Sequence, residues 1–342
     1  MLDLLAASPA LSLVGVVTAP PRPAGRGARV RPSPIAERAA RLEGVPILTP
    51  RRLREPQSVE AVVALSPELI VVADYGQIVP PALLDLPAFG ALNLHPSLLP
   101  RHRGATPVPS AILAGDAETG VTLMLMDEGI DSGPILAQRR HRLHGDETAD
   151  ELEAALAAEA AELLREQLPS WLEGALVARP QPADGVTLTR PLRREDGRLD
   201  PCTGAVDLER RVRAYQPWPG TFLETAVGRL IVWRTSVLAG VAPEAIPSGP
   251  TPPEGARVEA SARVDGPAGS APVAPDDAVS VAPGTFAAAG EGLALRVVDG
   301  WLRLDEVQPA GGRRMPGDAL RRGRPGLVGS RVERMAVGCA PE

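Results

Sequence analysis

Asn93 and His95 stand two positions apart in ALNLH, and Asp131 follows in the glycine-flanked run DEGIDSG. Side chains of an extended chain alternate, so Asn93 and His95 share one face while Leu92 and Leu94 occupy the other. An amide N–H and a ring N–H side by side can hold an oxygen that becomes negative. A carboxylate bent onto the imidazole raises its pKa and fixes its tautomer, which keeps a proton available. The trio suits acyl-type transfer through a tetrahedral intermediate, where losing one oxyanion donor costs about 10²–10³ in rate. No metal is needed. From residue type alone the plain alternative stays open. A strand histidine before a proline is commonly just hydrogen-bonded in a core, and Asn93 and Asp131 can serve a turn and a loop.

The elements around these residues must bring them together. A run as apolar as ALNLH predicts an interior strand, with its polar pair at the carboxyl end, where open α/β sheets place their ligands. Upstream, LSLVGVV from Leu11 to Val17 reads as a strand, and the loop TAPPRPAGRGARVRPSP is too rich in Pro and Gly to be regular. A helix starts at Pro34 with Ser33 as its cap. A strand from Val45 to Leu48 and a helix from Ser58 to Leu65 follow. ELIVVADYG from Glu68 is continuous and β-branched, as a strand buried on both faces should be. The alternation gives an α/β class with a Rossmann-like, mainly parallel sheet. Beyond the candidate site, Gly120 to Met126 and Pro134 to Arg142 read as antiparallel partners. Thr148 and Glu151 make a capping box before Leu152, Leu156, Ala160 and Leu163 at helical spacing.

The expected division is a catalytic domain over 1–171, a linker over 172–190 and a second domain over 191–342. The second domain reads as a short helix from Leu208 to Tyr215, the turn QPWPG, a strand pair about Gly228, and strands in TFAAAG, LALRVVDG and WLRLDEVQPAG. Between them, about 242–283 is dominated by Pro, Ala, Gly and Ser. That segment cannot bury enough apolar surface to offset its ordering entropy, so a disordered excursion is expected.

The chain has 342 residues, 44% hydrophobic and only 3% aromatic, so its two cores must be built from Leu, Val, Ile and Ala. A net charge of −6 argues against a protein that coats nucleic acid along its whole surface. Arginines nevertheless crowd two places: Arg22, Arg26, Arg29 and Arg31 near the start, and Arg313, Arg314, Arg321, Arg322 and Arg324 in the tail. No apolar run can span a bilayer, and the Met1 end lacks signal-peptide order, so a cytoplasmic place is expected. Cys202 and Cys339 lie far apart without a CxxC, which predicts free thiols and no zinc site.

The segments NLHPSLLPRHRGATP and TGVTLMLMDEGIDSG resemble the folate-dependent formyltransferase family, and the first domain resembles it almost throughout. Within that family PRPAGRG, REDGRLD, RAYQPWPG and VQPAGGRRM resemble the members that formylate methionyl-tRNA. The resemblance implies a formyltransferase fold followed by a small OB-type β-barrel that contacts the tRNA backbone. It implies attack by the amino group of methionyl initiator tRNA on the formyl carbon of 10-formyltetrahydrofolate. Oligomeric state stays open in the sequence, with a monomer as the expectation. Asn93, His95 and Asp131 match the family's catalytic trio. Ser97, Leu98, Leu99 and Pro100 match its SLLP signature beside the folate pocket. Tyr75, Gly76, Gln77 and Ile78, with the segment from Asp127 to Asp131, would help line that pocket. Arg26 matches the loop arginine that reaches the acceptor end, and Arg22, Arg29, Arg31, Arg313 and Arg314 are further candidates for tRNA.

The resemblance departs at Pro191, where the family has a lysine, and at Pro201, where an aromatic is usual. Three other readings stand beside it: formylation of an amino sugar, hydrolysis of the formyl folate, and a folate- or tRNA-binding remnant without turnover. The first calls for a second GxGxxG unit, which the sequence lacks. MLDLLAAS reads as the end of an amphipathic helix, and a helix there needs a preceding strand. The expectation is a natural start about 15 to 25 residues before Met1, the span of a strand, a turn and part of a helix.

Overall fold

The computed structural model describes residues 1–24, 29–238 and 281–333. The chain forms two compact units, one of Met1–Gly197 with Arg213–Pro219, the other of Arg198–Val212 with Gly220–Glu342.

In the first unit, α1 (Leu2–Ala7) buries no residue, although Met1 and Leu5 pack on the main core. The strand expected from Leu11 shrinks to β1 (Val16–Val17). The segment read as irregular is a hairpin, β2 (Arg22–Ala24) against β3 (Arg29–Arg31), with Arg22 opposite Arg31. Pro23 is tolerated because a two-stranded ribbon is all edge. Next come α2 (Pro34–Ala39), β4 (Ile47–Leu48), α3 (Pro56–Val63), β5 (Ile70–Val72) and α4 (Pro81–Leu84). Ser33 caps α2 as expected, its hydroxyl accepting from the Ala36 N–H at 3.0 Å.

The site strand β6 (Ala91–His95) is followed by β7 (Arg103–Gly104), α5 (Pro107–Ala114), β8 (Glu118–Leu125), β9 (Ile135–Arg142), α6 (Ala149–Leu172) and β10 (Leu188–Thr189). The four-stranded sheet runs β5-β6-β8-β9, parallel at β5–β6 and antiparallel after that. With the parallel pairs β1–β4 and β7–β10, the unit is α/β as expected. Among the described residues no ladder joins β1–β4 to the larger sheet, and β5 bonds only to β6. Ile70, Val71 and Val72 are accordingly half-buried, not covered on both faces. α6 carries its capping box, with the Thr148 N–H donating to Glu151 at 2.9 Å. It covers the sheet with Leu152, Leu156, Ala160 and Leu163, each buried. Full burial of a leucine contributes about 1.5–3 kcal/mol, so this stripe anchors the helix.

The second unit contains most of α7 (Ala205–Ala214) and an antiparallel sheet of β11 (Thr221–Thr225), β12 (Gly228–Leu238), β13 (Phe286–Ala289), β14 (Gly292–Val297), β15 (Gly300–Pro309) and β16 (Met315–Pro316). α8 (Gly317–Gly323) packs on β14 and β15. The order β11-β12-β15-β14-β13 leaves β11 and β13 as edges. Single bridges, Thr225 to Val332 and Thr285 to Arg331, tie those edges to one passing segment. The small β domain is present, and no closed barrel is formed among the described residues. The excursion expected at 242–283 lies almost wholly outside them. Cys202 is in a disulfide, not a free thiol, because sequence spacing does not report which groups folding brings to it; Cys339 lies outside the described residues. No described helix is long and apolar enough to cross a membrane.

Candidate active site

β6 lies between β5 and β8, so its carboxyl end is an interior strand end. Leu92 and Leu94 are buried, which fixes the face that Asn93 and His95 must take. Asp131 arrives from the turn between β8 and β9. Its Oδ1 accepts from Asn93 Nδ2 at 3.3 Å, and its Oδ2 stands 3.6 Å from His95 Nδ1. The three candidate residues therefore meet.

The carboxylate is held from a second side. Gly104 donates its N–H to Asp131 Oδ2 at 2.8 Å. Gly104 has φ +104, and a Cβ there would meet the Thr189 carbonyl oxygen. Only glycine lets this backbone pass between Thr189 and the carboxylate. Asp131 and His102 themselves have φ 48 and 56, a left-handed conformation that costs energy in non-glycine residues and gathers at functional sites.

His95 is 4% exposed. Its Nε2 donates to the His102 carbonyl at 2.9 Å, and a carbonyl can only accept, so Nε2 bears the hydrogen. Nδ1, facing Asp131, is then the nitrogen whose protonation can change. Burial pushes the imidazole below its ordinary pKa, outweighing the upward pull of Asp131 and of the His102 carbonyl, while the His102 ring adds to the lowering. The expected rise is thus corrected: the desolvation of a ring this deeply enclosed is larger than its attraction to one carboxylate.

The SLLP segment braces the site. Ser97 is fully buried and donates to the Arg101 carbonyl at 2.7 Å, and Leu99 is buried with its N–H on Thr122 Oγ1 at 3.1 Å. Gln138 ties Thr122 to the Leu99 carbonyl. Leu98 and Pro100 are half-buried, and Leu98 lines a cavity of about 230 Å³ with His102 and Asp116. A cleft of about 310 Å³ opens between Pro81, Leu84, Asp85, Gly90, Leu125, Met126, Asp127 and Glu128. Of the residues expected at a folate pocket, Asp127 and Glu128 line it; Asp127 Oδ1 accepts from Gly129 N–H and Ser132. Tyr75 is half-buried with a hydroxyl that has no partner among the described residues, and Gln77 clamps Leu53 and Pro50. Ile78 is 84% exposed, and Gly76 is exposed at φ +72.

On the hairpin, Arg22, Arg29 and Arg31 are exposed on one face of the ribbon, given the pairing of Arg22 with Arg31. Arg26 lies outside the described residues. In the second unit Arg313 is exposed, whereas Arg314 pairs with Glu306 at 2.6 Å and stacks 4.7 Å over Trp233.

Residues 5–168 match the formyl transferase family, and residues 191–325 match the formyl transferase C-terminal domain. The methionyl-tRNA formyltransferase of Roseiflexus castenholzii is 41% identical over 322 residues, 94% of this chain and 91% of that protein. The chain belongs to the methionyl-tRNA formyltransferase family. The family member of Myxococcus xanthus is 48% identical over 219 residues, 64% of this chain and 70% of its own. The crystal structure of HypX from Aquifex aeolicus with tetrahydrofolic acid shares the fold, with a TM-score of 0.51 and 16% identity over 83% of this chain. The alignment spans 43% of HypX.

Two groups at this formyltransferase site escape sequence reasoning. Gly104 carries a weak signal, a glycine after an arginine near the strand. Gln181 carries none, being one polar residue in a proline-rich stretch.

Proposed function

We propose that this chain transfers the formyl group of 10-formyltetrahydrofolate to the amino group of methionyl initiator tRNA, for translation initiation. The observation that carries the reading is the meeting of Asn93, His95 and Asp131 at one strand end, in a chain 41% identical to a named methionyl-tRNA formyltransferase over nearly its whole length. The 310 Å³ cleft, apolar at Pro81, Leu84, Leu125 and Met126 and carboxylate-rimmed at Asp85, Asp127 and Glu128, fits one flat heterocycle with N–H donors. That is the pterin end of the formyl donor.

The aminoacyl nitrogen attacks the formyl carbon, a C–N bond forms, and the carbonyl π pair moves to oxygen. Asn93 Nδ2 spends one hydrogen on Asp131 and offers the other to that oxygen. Neutral His95 accepts the proton of the attacking nitrogen at Nδ1, and Asp131 balances the imidazolium that results. Collapse expels N10, which receives the proton, and tetrahydrofolate leaves. Arg22, Arg26, Arg29, Arg31 and Arg313 are the contacts for tRNA phosphates, and the protein works as a cytoplasmic monomer with its catalytic domain over 1–171.

Transfer of labelled formyl from 10-formyltetrahydrofolate to methionyl initiator tRNA tests this. Asn93→Ala and Asp131→Asn should each lower kcat by about 10²–10³ with the fold intact by circular dichroism. Near-normal turnover in both variants removes the trio from the chemistry.

A further inference from the structure

The stretch that the sequence marks as a linker lies inside the first unit, laced to the loops of the candidate site. Ile135 and Arg179 exchange backbone hydrogen bonds at 2.7 and 2.9 Å, and Arg103 donates its N–H to the Thr187 carbonyl at 2.9 Å. Between these two fixed points sits the half-buried side chain of Gln181. Its Nε2 donates to the carbonyls of Asp131 and Gly133, both at 2.8 Å. Its Oε1 accepts from Arg103, Nε at 3.1 Å and Nη2 at 2.7 Å. Two carbonyls can only accept and a guanidinium can only donate, so the amide has one possible orientation and both of its ends are committed.

The two loops held this way are those that meet on the carboxylate. One carries Asp131 at φ 48; the other carries Arg103 and then Gly104, whose N–H binds Asp131 Oδ2 at 2.8 Å. A left-handed aspartate carries a backbone cost, which hydrogen bonds to its carbonyl help to offset. At the loop's far end Gly133 passes close to the Leu125 carbonyl oxygen, which a Cβ would meet. We infer that Gln181 is a positioning residue, a latch that joins the Asp131 loop to the Arg103–Gly104 loop and so sets the carboxylate beside His95 and Asn93. This rests on the proposed roles of that trio. A displacement of about 1 Å at a catalytic carboxylate is enough to cost on the order of 10²-fold in rate without loss of substrate binding.

The full-length chain tests it through two variants and two readouts. Gln181→Glu keeps the acceptor for Arg103 and loses both donations, with little change of shape; Gln181→Met loses all four bonds. Both should lower kcat about tenfold or more, leaving KM for the formyl donor and for the aminoacyl-tRNA within about twofold. In an Asp131→Asn background neither should cost more than about twofold further, because the latch acts through that carboxylate. Amide hydrogen exchange, which needs no activity, should quicken about tenfold across 127–134 and at Gly104 and stay unchanged in α6. Unchanged exchange in those loops overturns the latch whatever the reaction proves to be. Altered exchange with unchanged kcat in a chain where Asp131→Asn is impaired overturns the positioning role alone, and a full multiplicative loss in the Asp131→Asn background does the same.

Discussion

At His95 burial and a neighbouring carboxylate pull in opposite directions, and burial wins. The folded pKa lies below the ordinary value of about 6.5, so the unfolded chain binds this proton more readily. The stabilising contribution is therefore complete above that value and is lost as pH falls through the folded one. Lowering the pH from 7.5 to 5.5 should lower the thermal midpoint more steeply in the native chain than in His95→Gln. Asp74 and Glu153, raised by burial, push the opposite way, so the difference between the two proteins is the quantity to read. A native chain that gains stability on acidification relative to the variant would contradict the neutral imidazole. Gly104→Ala belongs to the same scale: a Cβ against the Thr189 carbonyl should abolish the bond to Asp131 and lower kcat at least as far as Asp131→Asn. At this scale Asn93, His95 and Asp131 are legible in the sequence, since type and spacing carry the signal. The net pKa of His95 is not, because it depends on how tightly the ring is enclosed.

Among the elements, the hairpin of β2 and β3 places Arg22 directly opposite Arg31, with Arg29 on the same face. Like charges opposite one another destabilise a ribbon, and an anionic partner there would relieve the repulsion. Replacing all three by Ala should weaken methionyl-tRNA binding and reduce the slope of log affinity against log salt by about 2 to 3, while formyl-donor binding stays unchanged. An unaltered salt slope would remove the hairpin from the interface. Arg314, already paired and stacked, should matter less than Arg313. The buried strand β6 and the capped helix α6 are legible because pattern and caps agree. The hairpin is not, since Pro and Gly report local turn chemistry and say little about cross-strand pairing. α5 also goes unread: Pro107 and Pro109 look like breakers, yet both fall in its first turn, where their missing N–H groups cost nothing. The half-burial of β5 depends on what pairs with its free edge, which its own residues do not encode.

For the whole molecule, a net charge of −6 must be reconciled with a polyanionic substrate. All 36 basic residues are arginine, and those of the hairpin and Arg313 are among the exposed ones. Arginine stays charged across the accessible pH range and grips phosphate with a fixed fork, so few local contacts suffice where overall charge is unfavourable. The family match runs along both compact units, and the hairpin arginines share the first unit with the trio. With the trio at the end of β6 working as proposed, the formyl group goes to an amine and not to water. Incubation of the 342-residue chain with formyl-labelled 10-formyltetrahydrofolate and methionyl initiator tRNA, with label counted in both the tRNA and free formate, measures that partition. The account predicts label in the methionyl-tRNA, abolished by blocking its amino group, with formate no higher than in the absence of protein. Label accumulating as formate at the same rate with or without the tRNA would contradict it.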